Sequence, residues 1–197
     1  MILKENFYAR DGLSLARDLL GCYLIKEIGQ ARIVTKIVET EAYIGPEDKA
    51  CHAYNNKKTK RTEVMFGQPG LAYIYLIYGI HNCFNIVAAR PGKPEAVLVR
   101  AVEPVEGIDL IREKRAIGNR PDRELTNGPG KLTEALGIDR DYNGLALTEG
   151  KELYLTTGEE ISKSEIKSGP RINIDYAEEY AEKNWRFYLN SIFISGQ

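Results

Sequence analysis

The chain has 197 residues, 43% of them hydrophobic and 28% charged, which fits one domain with a real core and excludes a disordered or fibrous polypeptide. Three scattered cysteines, Cys22, Cys51 and Cys83, argue against a disulfide framework or a CxxC zinc pair, and two histidines exclude a three-histidine metal site, so no cofactor is implied. The net charge of −1 argues, taken whole, against a nucleic-acid binder, yet residues 1–133 hold 20 basic and 16 acidic side chains while residues 134–182 hold 5 and 12.

Met1 to Arg10 carries charges where a signal peptide would carry its apolar stretch, and no apolar run approaches the ~18 residues of a membrane helix. An unexported, cytoplasmic protein that does not enter a membrane is expected. No repeat, low-complexity tract or linker interrupts the chain, so one domain over residues 1–197 is expected, with a monomer as the default. Asp11 and Gly21 bracket a short N-capped helix. Cys22 to Glu27 and Ala31 to Tyr43, rich in Ile and Val around a Gly29-Gln30 turn, read as a hairpin. Residues 45–70 carry Gly, Pro, Asn, Lys and Thr with weak periodicity and read as a long loop, a feature often tied to function. Leu71 to Ile77 and Asn82 to Ala89 form a second hairpin around Tyr78-Gly79-Ile80-His81. Ala96 to Val102 is a further strand, followed by a helix opened by Pro104 and closed near Gly118. Leu132 to Leu136 is a short helix, and Trp185 to Ile194 alternates like a strand. Together these predict a mixed α/β (α+β) domain around a curved, largely antiparallel sheet with few, peripheral helices.

Glu39 and Glu41 lie two apart on a strand and so face one way; like charge and partial burial would raise the pKa of one and make it a base. The same spacing also fits an edge strand with an acidic exposed face. Twelve tyrosines against five phenylalanines give a surplus of aromatics with a polar handle. Tyr73 and Tyr75 share a strand face, whereas Tyr78 at a hairpin tip projects into solvent, as side chains that unstack a duplex do. Cations cluster at Lys49, Lys57, Lys58, Lys60 and Arg61, and again at Arg112, Lys114, Arg115, Arg120 and Arg123. The two clusters fit one phosphate-facing surface, and each alone fits a solvated loop or helix face. Asn127-Gly128-Pro129-Gly130-Lys131 fits a helix start at which backbone N–H groups and Lys131 hold a phosphate, and equally a tight turn.

Several runs, in order along nearly the whole chain, resemble the alkyladenine (3-methyladenine) DNA glycosylase family. They are Glu39-Thr40-Glu41-Ala42-Tyr43-Ile44-Gly45-Pro46-Glu47-Asp48, Cys51-His52-Ala53-Tyr54, Arg61-Thr62-Glu63-Val64-Met65-Phe66, Tyr73 to His81, Asn85 and Leu98-Val99-Arg100-Ala101-Val102-Glu103-Pro104. Gly128-Pro129-Gly130-Lys131, Gly169-Pro170-Arg171-Ile172 and Trp185-Arg186-Phe187-Tyr188 continue the match. The resemblance implies a monofunctional enzyme that flips alkylated or deaminated purines out of duplex DNA and hydrolyses their N-glycosidic bond, as a step of base excision repair. It implies that Glu41 activates the attacking water and Arg100 supports it. Tyr43, His52 and Tyr75 would wall the base pocket, Asn85 would touch the base edge, and Tyr78, on a protruding hairpin, would fill the gap left by the base. Arg61, Lys131 and Arg171 are expected to contact DNA. Lys60, Asn82 and Asn173 depart from the family's usual proline, aromatic and glycine.

The chemistry of these residue types agrees. An alkylated purine is cationic, a better leaving group that stacks well on tyrosine. The developing sugar cation needs an anion and a positioned water, both of which a carboxylate supplies. His52 is the group expected to titrate near neutrality. Two other readings remain at this level: a damage-recognition protein without hydrolysis, and a nucleosidase acting on free purine nucleosides.

Overall fold

The computed structural model describes residues 1–195. Helices α1 (Glu5–Tyr8) and α2 (Gly12–Asp18) precede the hairpin of β1 (Tyr23–Ile28) and β2 (Ala31–Ile44). After the long loop come β3 (Ala72–Ile77), β4 (His81–Ala88) and β5 (Glu95–Glu106), then helices α3 (Ile108–Arg115) and α4 (Pro129–Leu136). Strands β6 (Leu153–Thr156), β7 (Lys167–Gly169) and β8 (Arg186–Tyr188) complete one eight-stranded sheet ordered β3-β4-β5-β2-β1-β6, with β8 joining β2 and β7 joining β8. Every registered pair is antiparallel. The expected mixed α/β class, antiparallel sheet and few helices are therefore observed. No helix of the described residues is long and apolar enough to cross a membrane.

Local chemistry accounts for the elements. Asp11 caps α2 by accepting the Ser14 N–H at 2.9 Å. Helix α2 packs on β2 and β5, α4 on β4 and β5, and α3 on α4, so one core holds Leu15 and Leu19 together with Ile37, Val99 and Leu132. The loop over residues 45–70 contains only two short 3₁₀ turns, Tyr54–Asn56 and Glu63–Phe66.

Three sequence expectations are corrected. Strand β2 is not an edge: β5 lies along one side, and β1 then β8 along the other, so Glu39 and Glu41 are fully buried and not solvated. Pro104 does not open a helix. It lies inside β5, paired with Thr35, beyond Leu98 where the ladder to β4 ends, so its missing N–H breaks no β4 bond; α3 starts only after Gly107. The tail pairs over Arg186–Tyr188 alone, because β1 already occupies that side of β2 as far as Lys36.

The β2–β5 register shifts between Ile37 and Glu39 and shifts back between Glu39 and Thr40. Val38 and Arg100 are the residues left without a direct opposite. Paired bulges of this kind re-aim side chains, and here they lie under Glu39, Glu41 and Arg100.

Candidate active site

A cavity of about 480 Å³ opens over the sheet, with Tyr43 from β2, Tyr75 from β3, Asn85 from β4 and Arg100 from β5 on its walls. The long loop adds His52 and Arg61, and the start of α4 adds Gly130 and Lys131. The size suits a planar base-sized ligand.

Glu41 lies directly beneath this cavity and not on its surface. Its Oε1 takes the Ile172 N–H at 2.8 Å and sits 3.1 Å from Arg100 Nη1, while Oε2 accepts from the Tyr43 hydroxyl at 2.8 Å. All three donors come from residues lining the cavity. A carboxylate has about four acceptor sites, so one remains for a water proton. Burial, followed by the charge of Glu41, pushes the Tyr43 phenol well above its ordinary pKa and keeps it a donor.

Glu39 has different partners. Its Oε1 accepts from Arg186 at 3.0 Å and from the Ser195 hydroxyl at 2.9 Å and lies 3.4 Å from Arg100, and Oε2 accepts the Ser195 N–H at 2.6 Å. Ser195 in turn accepts from Arg100 at 3.2 Å. Burial alone would lower the Arg100 pKa, but Glu41 and Glu39 more than offset this and raise it. The two carboxylates are thus separated by a guanidinium.

His52 is bonded at both ring nitrogens, 3.0 Å from the Tyr73 hydroxyl through Nδ1 and 3.2 Å from Arg61 Nη2 through Nε2. Arginine only donates, so Nε2 accepts and Nδ1 carries the proton toward Tyr73. Burial, then the Arg61 charge, lowers the His52 pKa to about 4. This overturns the expectation of titration near neutrality: the ring is neutral at pH 7. Its edge packs on Tyr75 at 4.5 Å between centroids, and Arg61 covers the Tyr75 ring at 4.9 Å. Asn85 spends its amide hydrogens on the carbonyls of Tyr73 and Cys83, at 3.1 and 3.3 Å, so Oδ1 is the atom left to meet a ligand.

At the rim, the β3–β4 turn projects Tyr78, 78% exposed, and Ile80, 72% exposed. Tyr78 and Gly79 both adopt positive φ, 53° and 73°, as the two central residues of a type I′ hairpin turn require. Lys131 leans back on Asn127 at 2.7 Å, and the start of α4 is packed tightly enough that a Cβ on Gly130 would meet the His81 ring at 3.0 Å. Arg61 stands at the mouth and points inward, onto His52 and Tyr75.

Arg171, expected to contact DNA, does not reach the surface. Its side chain is fully buried, paired with Asp48 at 2.5 and 2.8 Å, bonded to the Ala42 carbonyl at 2.9 Å and placed over the rings of Tyr43 and Trp185. It braces the back of the pocket wall. Asn173, where the resemblance leads one to expect glycine, sits at φ 60°, a conformation asparagine tolerates better than most residues. Sequence reading gave no role in this site to Ser195, Asp48 or the Ile172 N–H; Asp48 and Ile172 lie in the matching runs, which do not show what they bond, and no local motif marks Ser195. Cys83 was given no place in the site; burial raises its thiol pKa, and alternation along β4 could have placed it beside Asn85 on the pocket face.

Comparison with known proteins comes to the same place. A family model described as methylpurine-DNA glycosylase (MPG) matches residues 6–192. A protein of Carboxydothermus hydrogenoformans named "Putative 3-methyladenine DNA glycosylase" is 50% identical over 196 residues, 99% of each chain. One of the same name from Natranaerobius thermophilus is 49% identical over 189 residues, 96% of each, and one from Methanocella arvoryzae is 48% identical over 187 residues, 95% of this chain and 92% of its own. A match over almost the full length, in the order of the motifs that surround the cavity, means that the chain belongs to the methylpurine-DNA glycosylase family.

Proposed function

We propose that this protein hydrolyses the N-glycosidic bond of damaged purines in duplex DNA, holding the extruded base in the tyrosine-walled cavity. The observation that carries this reading is the Glu41–Arg100 pair directly under an aromatic pocket whose rim bears an exposed hairpin tyrosine. A base inside a duplex is out of reach, so chemistry on its glycosidic bond requires extrusion. Tyr78 then occupies the vacated stack. Within the pocket Tyr43 and Tyr75 offer ring faces to a cationic alkylated purine, and Asn85 Oδ1 accepts a hydrogen bond from its edge. A water at the floor occupies the acceptor site that remains on Glu41 and gives it a proton while its oxygen bonds to C1′. The C1′–N bond breaks with its electron pair leaving on the base. His52 is neutral at pH 7 and does not protonate the leaving group, which favours bases that already carry positive charge.

The full burial of Glu41 favours a second reading, damage recognition without hydrolysis. One experiment separates the two, and the free-nucleoside activity as well. Incubate a duplex bearing a single hypoxanthine or ethenoadenine, add alkali, and look for strand cleavage. Cleavage only after alkali supports hydrolysis at that site, and a retarded but uncleaved duplex supports recognition alone. Activity confined to free nucleoside would overturn both.

A further inference from the structure

Tyr78 and Tyr176 are the aromatic residues that stand exposed among those described, at 78% and 68%, and both line the same cavity. They come from separate elements, Tyr78 from the β3–β4 turn and Tyr176 from the 3₁₀ segment Asp175–Tyr180. Aromatic rings are costly to leave in water, and the chain hides or half-hides its others.

The segment that presents Tyr176 is held in a costly shape. Glu178 has φ 50° with ψ −129°, a conformation that a non-glycine residue keeps only when its surroundings impose it. The surroundings do so. Lys49 grips Glu178 and Glu179 at 2.6 and 2.9 Å, and Ala177 is buried against Ala50 and Ile174. With its neighbours on both sides fastened, Tyr176 is directed outward at the mouth. Its hydroxyl makes no hydrogen bond among the described residues.

We propose that Tyr176 is a second nucleotide-binding aromatic, which closes the mouth of the cavity over the extruded damaged nucleotide, in a role separate from the stack-filling role of Tyr78. The proposal rests on the glycosylase reading above. It differs from the role of Tyr78 in what it touches: a residue over the mouth senses the damaged base, whereas a residue in the vacated stack also senses a site with no base at all.

The test compares two duplexes, one with a single ethenoadenine on a 2′-fluorinated sugar, which suppresses hydrolysis, and one with a tetrahydrofuran abasic analogue. Tyr176→Ala is expected to bind the ethenoadenine duplex roughly tenfold more weakly, the scale of one base–aromatic contact, with affinity for the abasic duplex and Tm unchanged. Tyr176→Phe is expected to match the wild type, and Tyr78→Ala to lose affinity for both duplexes. Wild-type affinity of Tyr176→Ala for the ethenoadenine duplex, or an equal loss on both duplexes, would overturn the assignment. Failure of the wild type to release the base from the unfluorinated duplex would instead remove the glycosylase reading, and the affinity comparison would still report on Tyr176.

Discussion

Glu39 and Glu41 stand on one strand, two positions apart, and their neighbours assign them different work. Glu41 is held by three donors that line the cavity, so Glu41→Gln is expected to abolish base release while duplex binding stays within a few-fold, since Gln keeps the volume but takes no proton from water. Equal loss of single-turnover rate in Glu39→Gln and Glu41→Gln would show a coupled pair and not one base. Glu39 is the buried partner of Arg100, Arg186 and Ser195, so its substitution leaves buried cations short of an anion. Glu39→Gln is therefore expected to cost about 3 kcal/mol and lower Tm by roughly 5–10 °C, more than Glu41→Gln. His52 has a separate, titration-based signature. Burial lowers its pKa from 6.5 to about 4, so between those values the unfolded chain binds a proton that the native ring refuses. Its share of stability is present above about 6.5 and is lost as pH falls toward 4. The drop in Tm between pH 7 and pH 4.5 should be smaller in His52→Gln than in the wild type; an equal drop would mean that the native ring takes up its proton as readily as the unfolded one, near 6.5.

At the scale of the element, the β3–β4 hairpin separates stability from binding at one position. Tyr78 pays for a left-handed backbone with a side chain that packs on almost nothing. Tyr78→Gly relieves that backbone and should melt at or above the wild-type temperature, higher than Tyr78→Ala by about 1 kcal/mol of stability. Both variants should weaken damaged-duplex binding by about 1–3 kcal/mol, with less loss on substrates that are already unpaired. If Tyr78 merely packed the hairpin, both variants would melt lower and bind as before. The β2–β5 bulges are the other informative element, since they bring Arg100 between two carboxylates that an unbroken ladder would leave side by side.

Across the whole molecule, charge pairing decides which cations can face a duplex. Arg112, Arg115 and Arg120 pair with Asp122, Glu134 and Glu124, so three of the five cations of the second basic cluster are engaged by its own surroundings. Lys57, Lys58 and Lys60 stay exposed on the loop that also supplies His52 and Arg61, with Lys58 resting over the Phe66 ring. Replacing these three lysines with Gln should reduce the slope of log affinity against log salt by about two to three, since each phosphate contact contributes ~0.9. Arg112→Gln should leave the slope unchanged. Equal slopes in the wild type and the lysine variant would place the phosphate contacts elsewhere.

Features set by neighbours in the chain were legible without coordinates. The Asp11 cap, the β1–β2 and β3–β4 hairpins and the projecting Tyr78 follow from turn chemistry and period-two alternation, and the ordered motifs around Glu41, His52 and Arg100 identify the family. What depends on distant partners was not legible. Ile172 meets Glu41 across 131 positions, and Ser195 meets Glu39 across 156. Periodicity shows that Glu39 and Glu41 share a face but is silent on whether that strand lies at an edge, because edge or centre is decided by which other strands arrive beside it. The resemblance marked Arg171, and charge counting the cluster at residues 112–123, as candidate phosphate contacts. Only the tertiary structure shows Arg171 enclosed by Asp48 and two aromatic rings, and Arg112, Arg115 and Arg120 paired with acidic neighbours, because burial and ion pairing arise from contacts through space and local sequence carries no record of them.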